Sequence, residues 1–263
     1  MSCRRIGAER VANFILDVGT FLLASGAHSG RVGSNTKRMA LAWGYELDLE
    51  SSFIGLTTTV THLTNKLDTI TCYKASPPHS VHLEILTKVS SLSWKVAEQN
   101  LTLEEAELEF EKIKKTPNYK PLVVSVAVGL SCAGLCIFSF GDLQFDFISP
   151  LIVWIAAFTG SIVRFFVSKK KFNQMLSIGI AAFLTTMITG LGSIWGWGLH
   201  PEAAMATAVL YLIPGVPLLN CIIDLIDGAL SSAMNRGLFA GFVLLCIAVG
   251  MTLSITLLGI SNF

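Results

Sequence analysis

Apolar residues change their spacing twice along this chain. Between about residues 8 and 25 they recur every three or four positions, as at Phe14, Leu16 and Phe21, with Glu9, Arg10 and Asp17 between them. That period predicts an amphipathic helix, which Gly26 can end through a left-handed cap. A second helix, capped by His28 or Ser29, runs to about Trp43, and Gly44 stops it. "YELDLESSF" then alternates, "IGLTTTVTHL" is rich in β-branched residues, and "TNKLDTITCYKA" reads as a turn and a further strand. Pro77 and Pro78 punctuate. Helices follow over about 81–99 and in "LTLEEAELEFEKIKK", where Thr102 and Glu105 form a capping box and the closing lysines suit the helix dipole. Residues 1–118 therefore read as an α+β domain with a small antiparallel sheet.

From residue 119 the pattern becomes one of long apolar runs. Five spans are predicted near 121–140, 147–167, 173–194, 203–223 and 237–259, each close to the ~20 residues that cross a hydrocarbon core as a helix. Pro121 and Pro150 fall at span starts, where a missing N–H is harmless. Small residues repeat every fourth position at Ser125, Gly129 and Ala133, at Ala156 and Gly160, at Gly192 and Gly196, and at Gly237 and Gly241. Such faces let helix backbones approach closely. The fold class is an α-helical integral membrane protein of five transmembrane helices, one discontinuous, with an N-terminal cytosolic α+β domain; 119–263 is the membrane domain.

Charge sharpens this division. Of 263 residues, 14% are charged, against roughly 25% in a soluble domain. Residues 1–120 hold 14 of the 19 Lys+Arg and 13 of the 18 Asp+Glu. The near-zero net charge gives nucleic acid no electrostatic footing. The basic stretches "EKIKKTPNYK", "RFFVSKKKFN" and "MNRG" all fall on one side of the spans, while "GDLQFDF" and "WGWGLHPE" on the other carry no Lys or Arg. This predicts a cytoplasmic N-terminus and an external C-terminal "SNF". The amphipathic start, with Glu9, Arg10 and Asp17, is not a secretory signal.

The fourth run raises a physical question. "YLIPGVPLLN" carries Pro214, Gly215 and Pro217 where a helix break costs most, and Asn220, Asp224 and Asp227 follow. A proline in a helix interior costs roughly 3 kcal/mol, and in lipid each freed carbonyl needs another partner. Two readings stand: a proline kink, or a discontinuous helix whose unwound middle lines a substrate cavity. Pro217, Asn220, Asp224, Asp227 and Ser231 are spaced by three or four, a polar face that favours the second. Asp224 could hold an ammonium group or a proton. Arg236 and Arg164 are positive-inside anchors, or partners for these acids or for an anionic substrate.

Other chemistry is weak. Four of the six cysteines lie in apolar spans, and Cys132 and Cys136 share a helix face without making a metal site. His62, His79, His82 and Glu84 are spaced too loosely for zinc. Asp17, His28 and Ser29 make a triad only on paper, with no Gly-x-Ser-x-Gly elbow. No phosphate-binding loop is present. Neither catalytic residues, nor a metal, nor a cofactor is expected.

At "LIPGVPLLNCIIDLIDG…MNRG" the sequence resembles the threonine/serine exporter (ThrE) family, in its YjjP-type large-subunit form. The shared pattern is Pro214, Gly215, Pro217, Asn220, Asp224, Gly228 and Arg236, extended by "FLLASGAHSGRVGSNTKRMALAWG", "SSFIGLTTT" and "VHLEILTKVSSLS". Asp227 is an acid the family pattern does not call for. The resemblance implies export of threonine and serine, or of dicarboxylates such as succinate, across the bacterial inner membrane. It also implies a separate small YjjB-type membrane subunit; independently, five spans with the N-terminus inside and the C-terminus outside would pair naturally with an inverted five-span partner. The expected substrate-binding set is Pro214, Gly215, Pro217, Asn220, Asp224, Asp227 and Arg236. Expected partners are the bilayer, the small subunit, further copies in an oligomer and a small-molecule cargo. The alternative is a membrane-anchored enzyme or metabolite sensor whose active part is the N-terminal domain.

Overall fold

The computed structural model describes residues 7–52, 54–139, 146–170 and 172–260. Cys3, Arg4, Arg5, Lys171, most of the "GDLQFDF" loop and the terminal "SNF" lie outside the described residues. The chain groups into two compact units, Met1–Asn118 with Gly215–Phe239, and Tyr119–Pro214 with Ala240–Phe263. Where the sequence suggested one border near residue 118, Gly215–Phe239 joins the N-terminal residues. Side chains at 220, 224 and 236 bond that region's backbone, as set out below.

In the first unit, helix α1 (Ala8–Ala24) and helix α2 (Ser29–Ala42) precede strands β1 (Tyr45–Ser52), β2 (Gly55–His62) and β3 (Thr69–Ala75). Helices α3 (Leu83–Gln99) and α4 (Leu103–Lys114) follow. The sheet is antiparallel in the order β1-β2-β3, with Leu47 opposite Val60 and Thr58 opposite Cys72. Leu56, Thr58 and Val60 turn inward with the period of two that a half-buried strand requires. Gly19 of α1 admits the Leu56 side chain; a Cβ there would stand 3.3 Å from its Cδ1. Phe14, Phe21 and Phe110 form edge-to-face ring contacts at 5.6–5.7 Å, with Trp43 against Phe14. The α4 capping box is formed, the Thr102 hydroxyl accepting from Glu105 N–H and the Glu105 carboxylate accepting from Thr102 N–H.

The second unit contains α5 (Pro121–Ser139), α6 (Ile148–Lys169), α7 (Gln174–Ile194), the short α8 (Pro201–Ala208) and a 3₁₀ turn at Leu210–Leu212. Helix α9 (Gly215–Ile226) belongs to the first unit, and α10 (Leu230–Leu258) runs unbroken from the first into the second. Among the described residues, four helices, α5, α6, α7 and α10, are long and apolar enough to cross a membrane. The pair Pro201–Leu212 and Gly215–Ile226 supplies a fifth if counted as one broken span. The last span begins at Leu230 rather than near 237, because the turn at Gly228 ends α9 early. The fourth-position pairs do not all serve packing: Gly129 lies against Trp154, but Gly196 adopts φ +67° just past the end of α7.

Asp146, buried just before α6, ties two connections of the second unit together. Its carboxylate accepts from the N–H groups of Ile148 and Ser149, from the Ser149 hydroxyl at 2.5 Å and from Leu199 N–H at 2.8 Å. Burial pushes this carboxyl up, but the hydrogen bonds from the Ser149 hydroxyl and the three amides outweigh it and hold it at about 2, below the ordinary 3.8. A depressed carboxylate stabilises the fold above about pH 4 and loses that contribution as the pH falls towards about 2. Asp146→Asn is therefore expected to lower stability at neutral pH by about 1–2 kcal/mol and to flatten the acid limb between about pH 4 and 2. Thermal unfolding midpoints across that range, for the full chain in nanodiscs, check this.

Candidate functional site

The interruption in the fourth run falls at Ile213, which is extended (φ −62°, ψ 129°) as a residue before proline should be. Pro214 follows it, and Gly215 is the first residue of α9. Pro217 sits in the first turn of α9, where its missing N–H costs nothing. The break is thus made by Ile213 and Pro214, and Pro217 starts the new helix rather than interrupting one.

Helix α9 buries an unusual face. Leu219, Ile222, Leu225 and Ile226 are exposed, whereas Asn220 and Asp224, one turn apart, are its buried residues. At its end Ala229 N–H donates to Asp224 C=O and Gly228 N–H to Leu225 C=O, with Gly228 at φ +78°. This glycine-dependent cap resets the register. Ser231, expected on the same stripe, is consequently exposed on α10, and Ser232 is buried instead. Asp227 also leaves the stripe. It lies past the last residue of α9, is exposed, and stands 3.9 Å from His28 Nδ1.

The same kind of cap closes α1, with Gly26 at φ +96° and Ala27 N–H donating to Leu22 C=O. It leaves the Gly26 and Ala27 carbonyls and the first N–H of α2 without helical partners. The polar residues of α9 and α10 meet these groups one for one. Asn220 Nδ2 donates to Gly26 C=O at 2.8 Å, Arg236 Nη2 donates to Ala27 C=O at 2.9 Å, and Ser29 N–H donates to Asp224 Oδ1 at 2.8 Å. Arg236 Nε lies 3.0 Å from Asp224 Oδ2, in an ion pair whose two side chains are 3% and 0% exposed. One line of hydroxyls reaches the same carboxylate. Ser51 of β1 donates to Ser29 at 2.6 Å, Ser29 to Ser232 at 3.0 Å, and Ser232 to Asp224 Oδ2 at 2.9 Å. Ser29 gives one of these bonds and takes one, and Ser232 gives one to the carboxylate and takes one from Ser29 and another from Arg236 Nε at 3.3 Å, an arrangement in which neighbouring bonds polarise one another.

Of the sequence-predicted residues, the fold thus brings together Asn220, Asp224 and Arg236, and of the readings open for Arg236 it shows the pairing with an acid. Pro214, Gly215 and Pro217 form the nearby start of α9, and Asp227 stands apart. Ser29, Ser51 and Ser232 were missed as members of the site, as were the carbonyls of Gly26 and Ala27. A signal existed for Ser232, which precedes Arg236 by four residues as Asn220 precedes Asp224. His82, at the cap of α3, is buried with no hydrogen-bond partner for Nε2 among the described residues.

Comparison with known proteins narrows what such a chain is. Residues 13–258 match the ThrE family model, described as "Putative threonine/serine exporter". The chain is 26% identical over 254 residues to the "Probable succinate transporter subunit YjjP" of Escherichia coli (strain K12), with 96% of each chain covered. It is 24% identical, at the same coverage, to the protein of that name in Klebsiella aerogenes. No solved structure gives a significant match. The family match takes in the interrupted run, both halves of the buried ion pair and the α1–α2 connection they hold: this chain belongs to the ThrE family of exporters.

Proposed function

We propose that the chain is one subunit of a secondary exporter that moves threonine and serine, or succinate-like dicarboxylates, out of the cytoplasm. It acts with a small YjjB-type membrane subunit in the bacterial inner membrane, with residues 1–118 as a cytosolic α+β domain. The relatives' names, which call them transporter subunits, support the need for a partner, and the one-sided basic loops support the orientation. The cargo meets the face of Asn220, Asp224 and Arg236 beside the break at Pro214, Gly215 and Pro217, with Asp227 just beyond α9.

One observation carries this reading. A fully buried carboxylate, Asp224, sits in a cradle of guanidinium, hydroxyl and helix-start N–H donors next to an interrupted span. Such a cradle suits any carboxylate, and the proposed cargoes all carry one. Cargo and Asp224 compete for Arg236 and the start of α2, and the exchange releases α9 from the α1–α2 connection. That is a two-state element a ligand can bias.

Export of threonine and succinate from cells expressing the chain with its small partner tests this. Asn220→Leu, and Asp224→Asn combined with Arg236→Gln so that no lone charge stays buried, are each expected to lower export at least about tenfold per folded chain in the membrane, the effect of losing about 1.4 kcal/mol of a productive contact. Unchanged export in both variants removes the site. Full transport by liposomes holding this chain alone removes the partner.

A further inference from the structure

Arg164 lies on α6, about a turn from its end at Lys169, and it is the only charged residue of α5, α6 and α7 apart from Lys169. It is half-buried, and among the described residues no carboxylate pairs with it; the group within its electrostatic reach is the Tyr211 phenol. A guanidinium inside a membrane-spanning helix is costly to leave unmatched, and where it does not snorkel to the interface it marks a substrate or ion pathway.

Its surroundings are shaped. Gly160 precedes Arg164 by one turn on the same face of α6, and a Cβ at Gly160 would overlap both the Thr185 Oγ1 and the Tyr211 hydroxyl. The two oxygens therefore rest on the α6 backbone, 3.2 Å from each other. Thr185 also donates, at 3.5 Å, to Ala156 C=O. Tyr211 comes from the 3₁₀ turn just before the break and lines a 470 Å³ apolar groove with Val124, Ala127, Val128, Cys132 and Leu210. The second unit therefore holds an unmatched planar cation, two hydroxyls and an adjoining groove. No acid in α5, α6 or α7 is available to receive an ammonium group.

We propose that Arg164, with the Tyr211 and Thr185 hydroxyls seated over Gly160, is a carboxylate-binding point for the cargo, and that it selects a dicarboxylate over a zwitterionic amino acid. The inference rests on the exporter reading and gives it a substrate class. A guanidinium holds a carboxylate through two parallel N–H bonds, and lysine does not reproduce that fork. Without a neighbouring acid, a zwitterion gains nothing for its ammonium group and must still desolvate it.

Direct binding separates this from transport. The full chain, purified in nanodiscs, is titrated with sodium succinate, threonine or sodium chloride at matched ionic strength, and the thermal unfolding midpoint is followed. Succinate is expected to raise the midpoint saturably, and threonine and chloride are not. Arg164→Gln weakens the succinate effect at least about tenfold, Arg164→Lys restores part of it, and Tyr211→Phe weakens it about threefold. Gly160→Ala, which leaves every donor in place, weakens it by displacing the hydroxyls. An equal succinate effect in Arg164→Gln overturns the site, and a threonine effect as large as that of succinate overturns the selectivity. No carboxylate effect in a wild-type preparation that still transports with its partner overturns the site and leaves the exporter reading intact.

Discussion

Arg236→Gln is expected to destabilise the folded chain by about 3–5 kcal/mol, because it leaves the Asp224 carboxylate buried without its cation. The two ions are 3% and 0% exposed at 3.0 Å, so water cannot replace the lost partner. The same substitution removes the donor to Ala27 C=O, leaving a buried carbonyl of the α1–α2 connection unmet. Removing both charges, as Asp224→Asn with Arg236→Gln, is expected to recover most of the loss, since each ion's desolvation cost is then gone. A double-mutant cycle on thermal unfolding midpoints of the full chain in nanodiscs measures the coupling. Coupling below about 0.5 kcal/mol would mean that the pair is wet in the working protein, and the cradle argument would fall with it.

Phe110→Ala is expected to cost a further order of about 3–5 kcal/mol, this time in the N-terminal part of the first unit. Phe110 is 1% exposed and takes edge contacts from both Phe14 and Phe21, so its removal opens a cavity between α1 and α4. Those rings sit on the rigid faces of two helices and can collapse only partly. Limited proteolysis, with cleavage appearing within residues 8–114 before the spans are attacked, reads this out. Because α1 ends in the connection that holds Asn220, Asp224 and Arg236, Phe110→Ala is also expected to lower export while leaving every polar group of the site in place. Export unchanged at a strongly lowered stability would show that the α1–α2 connection does not bear on transport.

Much of the molecule is written locally. The periods of three to four and of two placed α1 through α4 and the strands, and the apolar runs placed α5 to α7. Gly26 and Gly44 adopt the positive φ their positions demand, and the Thr102–Glu105 box forms as two bonds three residues apart. These features depend on neighbours within one helical turn, so residue type and spacing suffice to read them. The break before α9 was legible for the same reason, since a proline constrains itself and the residue before it.

The partners of the polar stripe were not legible. Asn220 and Asp224 were read as polar residues that lipid would oppose, and Arg236 as a positive-inside anchor or a partner for an acid or an anionic substrate. What opposes them in fact is the backbone of residues 26–29, about 195 positions away, and no spacing rule reaches that far. The stripe also ended sooner than its period implied, because the cap at Gly228 restarted the helix and put Ser232 where Ser231 was expected.

By itself, then, the sequence determined which segments are helix, strand or span, where the fourth run must break and which polar side chains cannot face lipid. Those outcomes are set by steric and hydrogen-bonding limits among near neighbours. Only the tertiary structure decided what those side chains satisfy. A capped helix end leaves carbonyls and an N–H whose partners must come from elsewhere in the chain, and only packing can bring α9 and α10 to them.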